Sequence, residues 1–239
     1  MKYIYGPVPS RRLGLSLGLS ITPHKTCNFD CLYCQQGKTS QTTLERKEYI
    51  PISEVLDELR AWVLNHPEEE KKLDYITISG SGEPTLNTEV GRLIQEIKKI
   101  SSCPVAVITN SSLLGDASIR KSLLAADLIV PSLDAVTEQV FQKIDRPHPG
   151  IKIDDIINGL VELRKEFSGK IWLEVMLASG MNDDLRYIKK LKEVCDKINP
   201  DKIQLNSPVR TTAEADIIPV AEAKLKRIKK ILGDKCEII

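Results

Sequence analysis

Apolar positions along the chain switch repeatedly between two periods. Short runs rich in Leu, Ile and Val occupy Leu15–Ile21, Leu73–Ser79, Val105–Thr109, Asp127–Ser132, Lys170–Leu177 and Lys202–Leu205. Runs of this length bounded by polar residues, glycine or proline predict buried strands. Longer segments with one apolar stripe lie between them: a helix opening at Pro51-Ile52-Ser53, then Thr88–Ile100, Ala117–Leu124, Thr137–Ile144, Ile153–Phe167, Asp183–Ile198 and Val220–Leu232. In the first of these, Ser53 is the expected N-cap, and Val55, Leu56, Leu59, Trp62 and Val63 form the apolar face. Cys236 to Ile239 adds a last short strand. Strand and helix alternate, and the strands are apolar and partly β-branched, so the expected architecture is α/β with parallel strands inside and helices outside. Six βα units predict a partial barrel more open than the eight-fold form. The expected organisation is one domain over 1–239, with 1–14 a lead-in arm and 15–239 the barrel.

In such folds chemistry gathers at the C-terminal ends of strands. The loop after the first strand holds Cys27, Cys31 and Cys34 at the spacing C-x3-C-x2-C, half of the six cysteines in the chain. Thiolates this close in sequence converge on a soft metal centre. A closed zinc site or an electron-transfer cluster takes four protein ligands. A [4Fe–4S] cluster on three thiolates leaves one iron open to a small molecule. His24, three residues before Cys27, keeps a Cys3His zinc site as the alternative. Cys103, Cys195 and Cys236 stand apart and read as small core residues.

The loop after the second strand is Gly80-Ser81-Gly82-Glu83-Pro84, where two glycines let the backbone approach a neighbour closely. Polar residues recur at later strand ends: Asn110, Ser132 and Asp134, then Glu174 and Met176, then Gln204 and Asn206. Glu174 and Gln204 inside a barrel need partners, because burying them unpaired is costly. Met176 reads as core. The arm Gly6-Pro7-Val8-Pro9-Ser10-Arg11-Arg12-Leu13-Gly14 reads as a loop that can bring Arg11 or Arg12 to an anionic group. Arg146 and His148, in an Arg-Pro-His-Pro-Gly turn, and Arg210 are further cationic candidates.

The cysteine triple, with the aromatic Tyr33 just before its last member, resembles the radical S-adenosylmethionine (SAM) superfamily, and Gly80 to Pro84 resembles the element of that family that receives the SAM amino group. The resemblance implies a [4Fe–4S] cluster on Cys27, Cys31 and Cys34, with SAM chelated to the open iron. It implies one-electron cleavage of SAM to methionine and a 5′-deoxyadenosyl radical, which abstracts hydrogen from a substrate. Tyr33 is expected by the adenine and Gly80, Ser81, Gly82 and Glu83 at the ammonium. By their position on the barrel, Asn110, Ser132 and Asp134 are expected at the ribose hydroxyls or the methionine carboxylate. The chain as a whole looks like a compact branch related to the wybutosine-synthesis enzymes that modify tRNA. No cysteine precedes Cys27, so a single cluster is expected.

Composition narrows the partners. A net charge of +1 gives no global electrostatic footprint for nucleic acid. An RNA substrate then requires a local basic rim from Arg11, Arg12, Arg146 and Arg210. A small molecule, a peptide or a partner protein, as in an activating enzyme, is the other substrate class. The lysines of 224–230 interleave with Leu225, Ile228, Ile231 and Leu232, the pattern of a wet helix face. A reductant such as flavodoxin or ferredoxin is implied by the family chemistry. No apolar run is long enough to span a bilayer and no leader pattern is visible, so a reducing cytoplasmic setting is expected.

Overall fold

A computed structural model describes residues 1–239. One sheet runs in strict sequence order through β1 (Ile4–Ser10), β2 (Gly14–Ser20), β3 (Tyr75–Ser79), β4 (Val105–Thr109), β5 (Leu128–Pro131), β6 (Lys170–Met176), β7 (Lys202–Asn206) and β8 (Cys236–Ile238). From β2 to β8 every pairing is parallel. Only β1 is antiparallel, to β2. The strands curl into a partial barrel that is not closed.

The helices lie outside. They are α1 (Ile52–Asn65), the short α2 (Pro67–Glu70), α3 (Val90–Ile100), α4 (Ala117–Leu123), α5 (Glu138–Ile144), α6 (Ile153–Glu166), α7 (Leu185–Ile198) and α8 (Glu222–Leu232). The pleat sends alternate strand residues to opposite faces. Leu17, Leu19, Ile76, Ile78, Val105 and Val107 are fully buried with the apolar faces of the helices. Each such side chain stabilises the fold by roughly 1.5–3 kcal/mol. The other face lines the barrel and is more polar: Ser16 Oγ and Thr77 Oγ1 meet at 2.5 Å there.

Three details differ from the sequence expectation. The Pro-rich arm is a strand, not a loop. Proline is tolerated because β1 is an edge strand, and its register breaks between Tyr5 and Val8. Ser53 makes no cap; the Glu48 carboxylate accepts the Ile52 amide at 2.9 Å instead. Thr88, Thr137 and Val220 fall outside their helices, and α7 starts at Leu185 behind Asp184, which accepts the Arg186 and Tyr187 amides. The lysine run does lie on the wet side of α8, with Leu225, Ile228 and Leu232 buried. No helix is long and apolar enough to cross a membrane.

The β1–β2 hairpin positions the rest. Its turn sits inside the barrel, where Leu13 packs against Ala106, Leu128 and Val130. Arg12 donates to Glu174 at 2.5 Å, Asn206 donates to the same carboxylate at 3.0 Å, and Gln204 donates to the Arg12 carbonyl at 3.0 Å. The hairpin turn therefore packs into the barrel interior against β4, β5, β6 and β7. Tyr5 of β1 lies over Gly18, where any side chain would collide with its ring, and its hydroxyl bonds to Ser79 Oγ.

Candidate functional site

The segment after β2 crosses the barrel and is anchored on its far side. Asp30 and Leu32 donate main-chain bonds to Asp145 and Ile144 at 3.1 and 2.9 Å, and His148 donates to the Asn28 carbonyl at 2.8 Å. Phe29 meets Phe141 edge to face at 5.4 Å. The turn at 146–150 is therefore a brace for the cysteine loop. His148 Nδ1 accepts the Gly150 amide, and Arg146 pairs with Glu214 at 2.7 Å and Asp30 at 3.6 Å.

Cys27, Cys31 and Cys34 are half-buried free thiols on the wall of one large cavity of about 600 Å³. Gly80, Gly82, Glu83, Asn110, Ser132 and Asp134 line the same cavity. Ser81 does not; its carbonyl accepts the Lys25 amide at 2.8 Å. Burial pushes the Cys27 thiol up to about 11 and the Cys31 thiol well above its ordinary value. A cationic iron centre would reverse that preference, because ligation requires the thiolate. No three His, Cys, Asp or Glu side chains stand close enough together to hold a single metal ion. His24 is exposed and does not line the cavity that the three thiols share. Three thiolates without a fourth protein ligand suit a multinuclear centre in which each sulfur takes its own iron.

The Gly80–Pro84 turn is stitched to the cysteine loop. Besides the Lys25–Ser81 bond, the Glu83 amide donates to the Thr26 carbonyl at 3.0 Å. The close approach that the glycines permit is therefore to protein: at Gly82 an added Cβ would run into the Thr26 carbonyl, with Thr22 Oγ1 at 2.7 Å. Glu83 is 2% exposed, and its carboxylate accepts from Thr85 N, Thr85 Oγ1, Thr109 Oγ1 and Asn110 N at 3.0, 2.6, 2.7 and 2.8 Å. Burial raises its pKa, opposed by those bonds. The side chain thus ties the end of β3 to the end of β4. The carbonyls of Gly80 and Gly82 accept no hydrogen bond within the chain, and both residues line the cavity.

The later candidates are engaged in different ways. Asn110 Nδ2 donates to Asn28 Oδ1 at 2.7 Å and reaches Cys27 Sγ at 3.6 Å. The Ser132 hydroxyl is half-exposed on the cavity wall. Asp134 accepts the Met176 amide at 2.6 Å and the Tyr33 hydroxyl, which also donates to Asp145 at 2.9 Å. Burial raises the pKa of Tyr33 and of Asp134 and pushes Asp145 up to about 7. Tyr33 therefore joins the cysteine loop to β5 and to the brace, while its ring lines the cavity. Arg11 and Arg210 also line it, reaching Asn206 Oδ1 at 3.5 Å and Gln35 Oε1 at 3.3 Å.

Sequence reasoning missed Asp145, Asn28, Lys25 and Tyr5 as members of this site. Asn28 and Lys25 adjoin the cysteine triple, which is their only local signal. Asp145 and Tyr5 have none, since each reaches the site through a partner more than 70 positions away.

Known proteins share this sequence and fold. A 237-residue stretch, 99% of the chain, is 41% identical to a protein named GTPase Obg from Brachyspira hyodysenteriae, of which it spans 34%. The full chain is 36% identical to a UPF0026 protein from Methanocaldococcus jannaschii, covering 73% of it. A radical SAM methyltransferase from Sphaerobacter thermophilus shares the fold with a TM-score of 0.71 at 16% identity, over 94% of this chain and 65% of that one. The sequence profile described as Radical SAM superfamily matches residues 21–228. With that match spanning β3 to β7 and the cysteine loop, well over half of the chain, the chain belongs to the radical SAM superfamily, whose enzymes work with a [4Fe–4S] cluster and SAM.

Proposed function

We propose that Cys27, Cys31 and Cys34 carry the [4Fe–4S] cluster and that SAM lies between the Gly80–Glu83 turn and the strand-end residues Asn110, Ser132 and Asp134. The observation that carries this reading is the convergence of three half-buried thiols on one cavity, beside two glycine carbonyls that accept no bond within the chain. An ammonium requires acceptors, and free carbonyls at Gly80 and Gly82 supply them. Glu83 acts by fixing that turn, since its own oxygens are taken up by Thr85, Thr109 and Asn110. Ser132 offers a hydroxyl to SAM, and Tyr33 holds the cysteine loop in register with Asp134. When bound, the cluster and SAM supply one-electron cleavage of SAM and a radical that takes hydrogen from a substrate. The barrel wall, with the β1–β2 turn packed inside it, keeps water away from that chemistry.

The substrate fits the small-molecule class better than RNA. An RNA-binding rim requires free guanidinium groups, yet Arg146 is paired with Glu214 and Asp30, and Arg12 points inward to Glu174. Arg12, Tyr5, Thr77 and Ser79 line the same cavity, whose volume of about 600 Å³ suits a compact polar molecule. The electron comes from a low-potential donor of the flavodoxin or ferredoxin type.

Anaerobically purified protein is expected to carry about four irons per chain and to release 5′-deoxyadenosine from SAM under dithionite. Cys31→Ala is expected to abolish that release; robust release by the variant refutes the assignment of the cluster. Incubation with SAM and either small-molecule or tRNA fractions of cell extract then separates the substrate classes. Deoxyadenosine above the uncoupled background only with tRNA overturns the small-molecule reading.

A further inference from the structure

Lys25 is held in an uncommon conformation. Its backbone is left-handed, with φ of 57°, which a residue with a Cβ seldom adopts. That conformation turns its amide onto the Ser81 carbonyl at 2.8 Å and its side chain back over the cysteine loop. There the ammonium Nζ lies 3.2 Å from Cys34 Sγ. Lys25 is half-buried and makes no ion pair with any carboxylate.

The three sulfurs therefore sit in unlike surroundings. Cys31 lies beside the carboxyl groups of Asp145 and Asp134. Cys27 is approached by the neutral amide of Asn110 at 3.6 Å. Cys34 alone has a cation in hydrogen-bonding range. In a loaded site this sulfur is a ligating thiolate. Hydrogen bonds and positive charge at ligating sulfurs favour the reduced state of a cluster, which carries one more negative charge.

Resting on the cluster assignment above, we propose that Lys25 is a positioning residue that sets the reduction potential of the centre through Cys34. One electron enters from an external low-potential donor, and the resident ammonium stabilises the added charge with no proton transfer. Because the Lys25 amide also holds the Ser81 carbonyl, one residue couples the SAM-side turn to the electron-accepting side.

The test is a redox titration of the reconstituted protein, read by the electron paramagnetic resonance signal of the reduced cluster. Lys25→Met is expected to disfavour reduction about tenfold, a downward shift of about 59 mV for one electron. Lys25→Arg, which keeps a cationic donor, is expected to return the potential to the wild-type value. An unchanged potential in Lys25→Met with full iron content overturns the proposal, as does failure of Lys25→Arg to restore it. Should Lys25→Met hold less iron than wild type, Lys25→Gln takes its place, keeping a donor and dropping the charge. A lowered potential in Lys25→Gln supports the proposal, and a wild-type potential overturns it. Wild-type protein that takes up no four-iron cluster refutes the cluster assignment itself, a result separate from equal potentials in loaded proteins.

Discussion

Replacing Gly82 with Ala tests whether the Gly80–Pro84 turn depends on contact with the cysteine loop. The new methyl would strike the Thr26 carbonyl and lie 2.7 Å from Thr22 Oγ1 and 3.0 Å from the Thr26 carbonyl carbon. Carbon and oxygen atoms rest at about 3.5 Å, so the two backbones must part by about 1 Å. That displacement breaks the Glu83–Thr26 and Lys25–Ser81 main-chain bonds, now 3.0 and 2.8 Å. Each such bond contributes about 1 kcal/mol net. Overpacking of a tight site adds about 1–3 kcal/mol. The expected loss is thus about 3–5 kcal/mol, a large part of the stability of an ordinary domain. For a chain of this size, that lowers the melting temperature by roughly 10 °C. Calorimetry of the apoprotein reads it without any cofactor. Gly180→Ala is the control, because its left-handed φ of 73° is strained but nothing lies within 4 Å of the added Cβ. Its expected cost is about 1–2 kcal/mol, from backbone conformation alone. In the loaded enzyme a 1 Å displacement of the turn is expected to slow deoxyadenosine formation by about 100-fold. If Gly82→Ala melts within about 2 °C of wild type, the turn does not depend on this contact and the geometric argument fails.

Two further outcomes follow from buried charge. Arg12→Met leaves the Glu174 carboxylate, 7% exposed as a side chain, with Asn206 as its only remaining partner; with Arg12 half-buried, the expected loss is about 2 kcal/mol, and Arg12→Met with Glu174→Met is expected to recover it in a denaturation cycle. Additive losses in that cycle would show that the pair is not coupled. Asp145 has an ordinary pKa of 3.8 and is pushed up to about 7 by burial. Between those values the folded apoprotein holds a proton that the unfolded chain has released, so the stability Asp145 contributes is fully present below the ordinary value and is lost as pH rises through about 7. Urea midpoints of the apoprotein between about pH 4 and about pH 8 are expected to fall, and Asp145→Asn is expected to flatten the slope.

The cysteine spacing and the glycine turn were legible because local chemistry dictates them. Thiols three and four positions apart on a loop can share a centre in any fold that lets the loop stand free. Strand ends were legible as well: Asn110, Ser132 and Asp134 all line the cavity, as expected from a parallel barrel. Their partners were not legible. Asp134 is held by Tyr33 from 101 positions away, and the Glu83 carboxylate reaches Thr109 26 positions on. The double arginine suggested an arm at the rim, but the register of an antiparallel edge strand carries Arg12 inside to Glu174, 162 positions distant.

By itself, the sequence determined the alternation of strands and helices, the parallel sheet, and the spacing of the three thiols proposed to carry the cluster. These depend on periodicity and spacing, which neighbouring residues set. Only the tertiary structure decided that the β1–β2 turn packs into the barrel interior, that Glu83 and Tyr33 brace the site, and that Lys25 faces Cys34. Those depend on how far each strand is sheared against the next and on which loops cross the barrel. Such quantities are fixed by packing across the whole sheet, and no local stretch of the chain contains them.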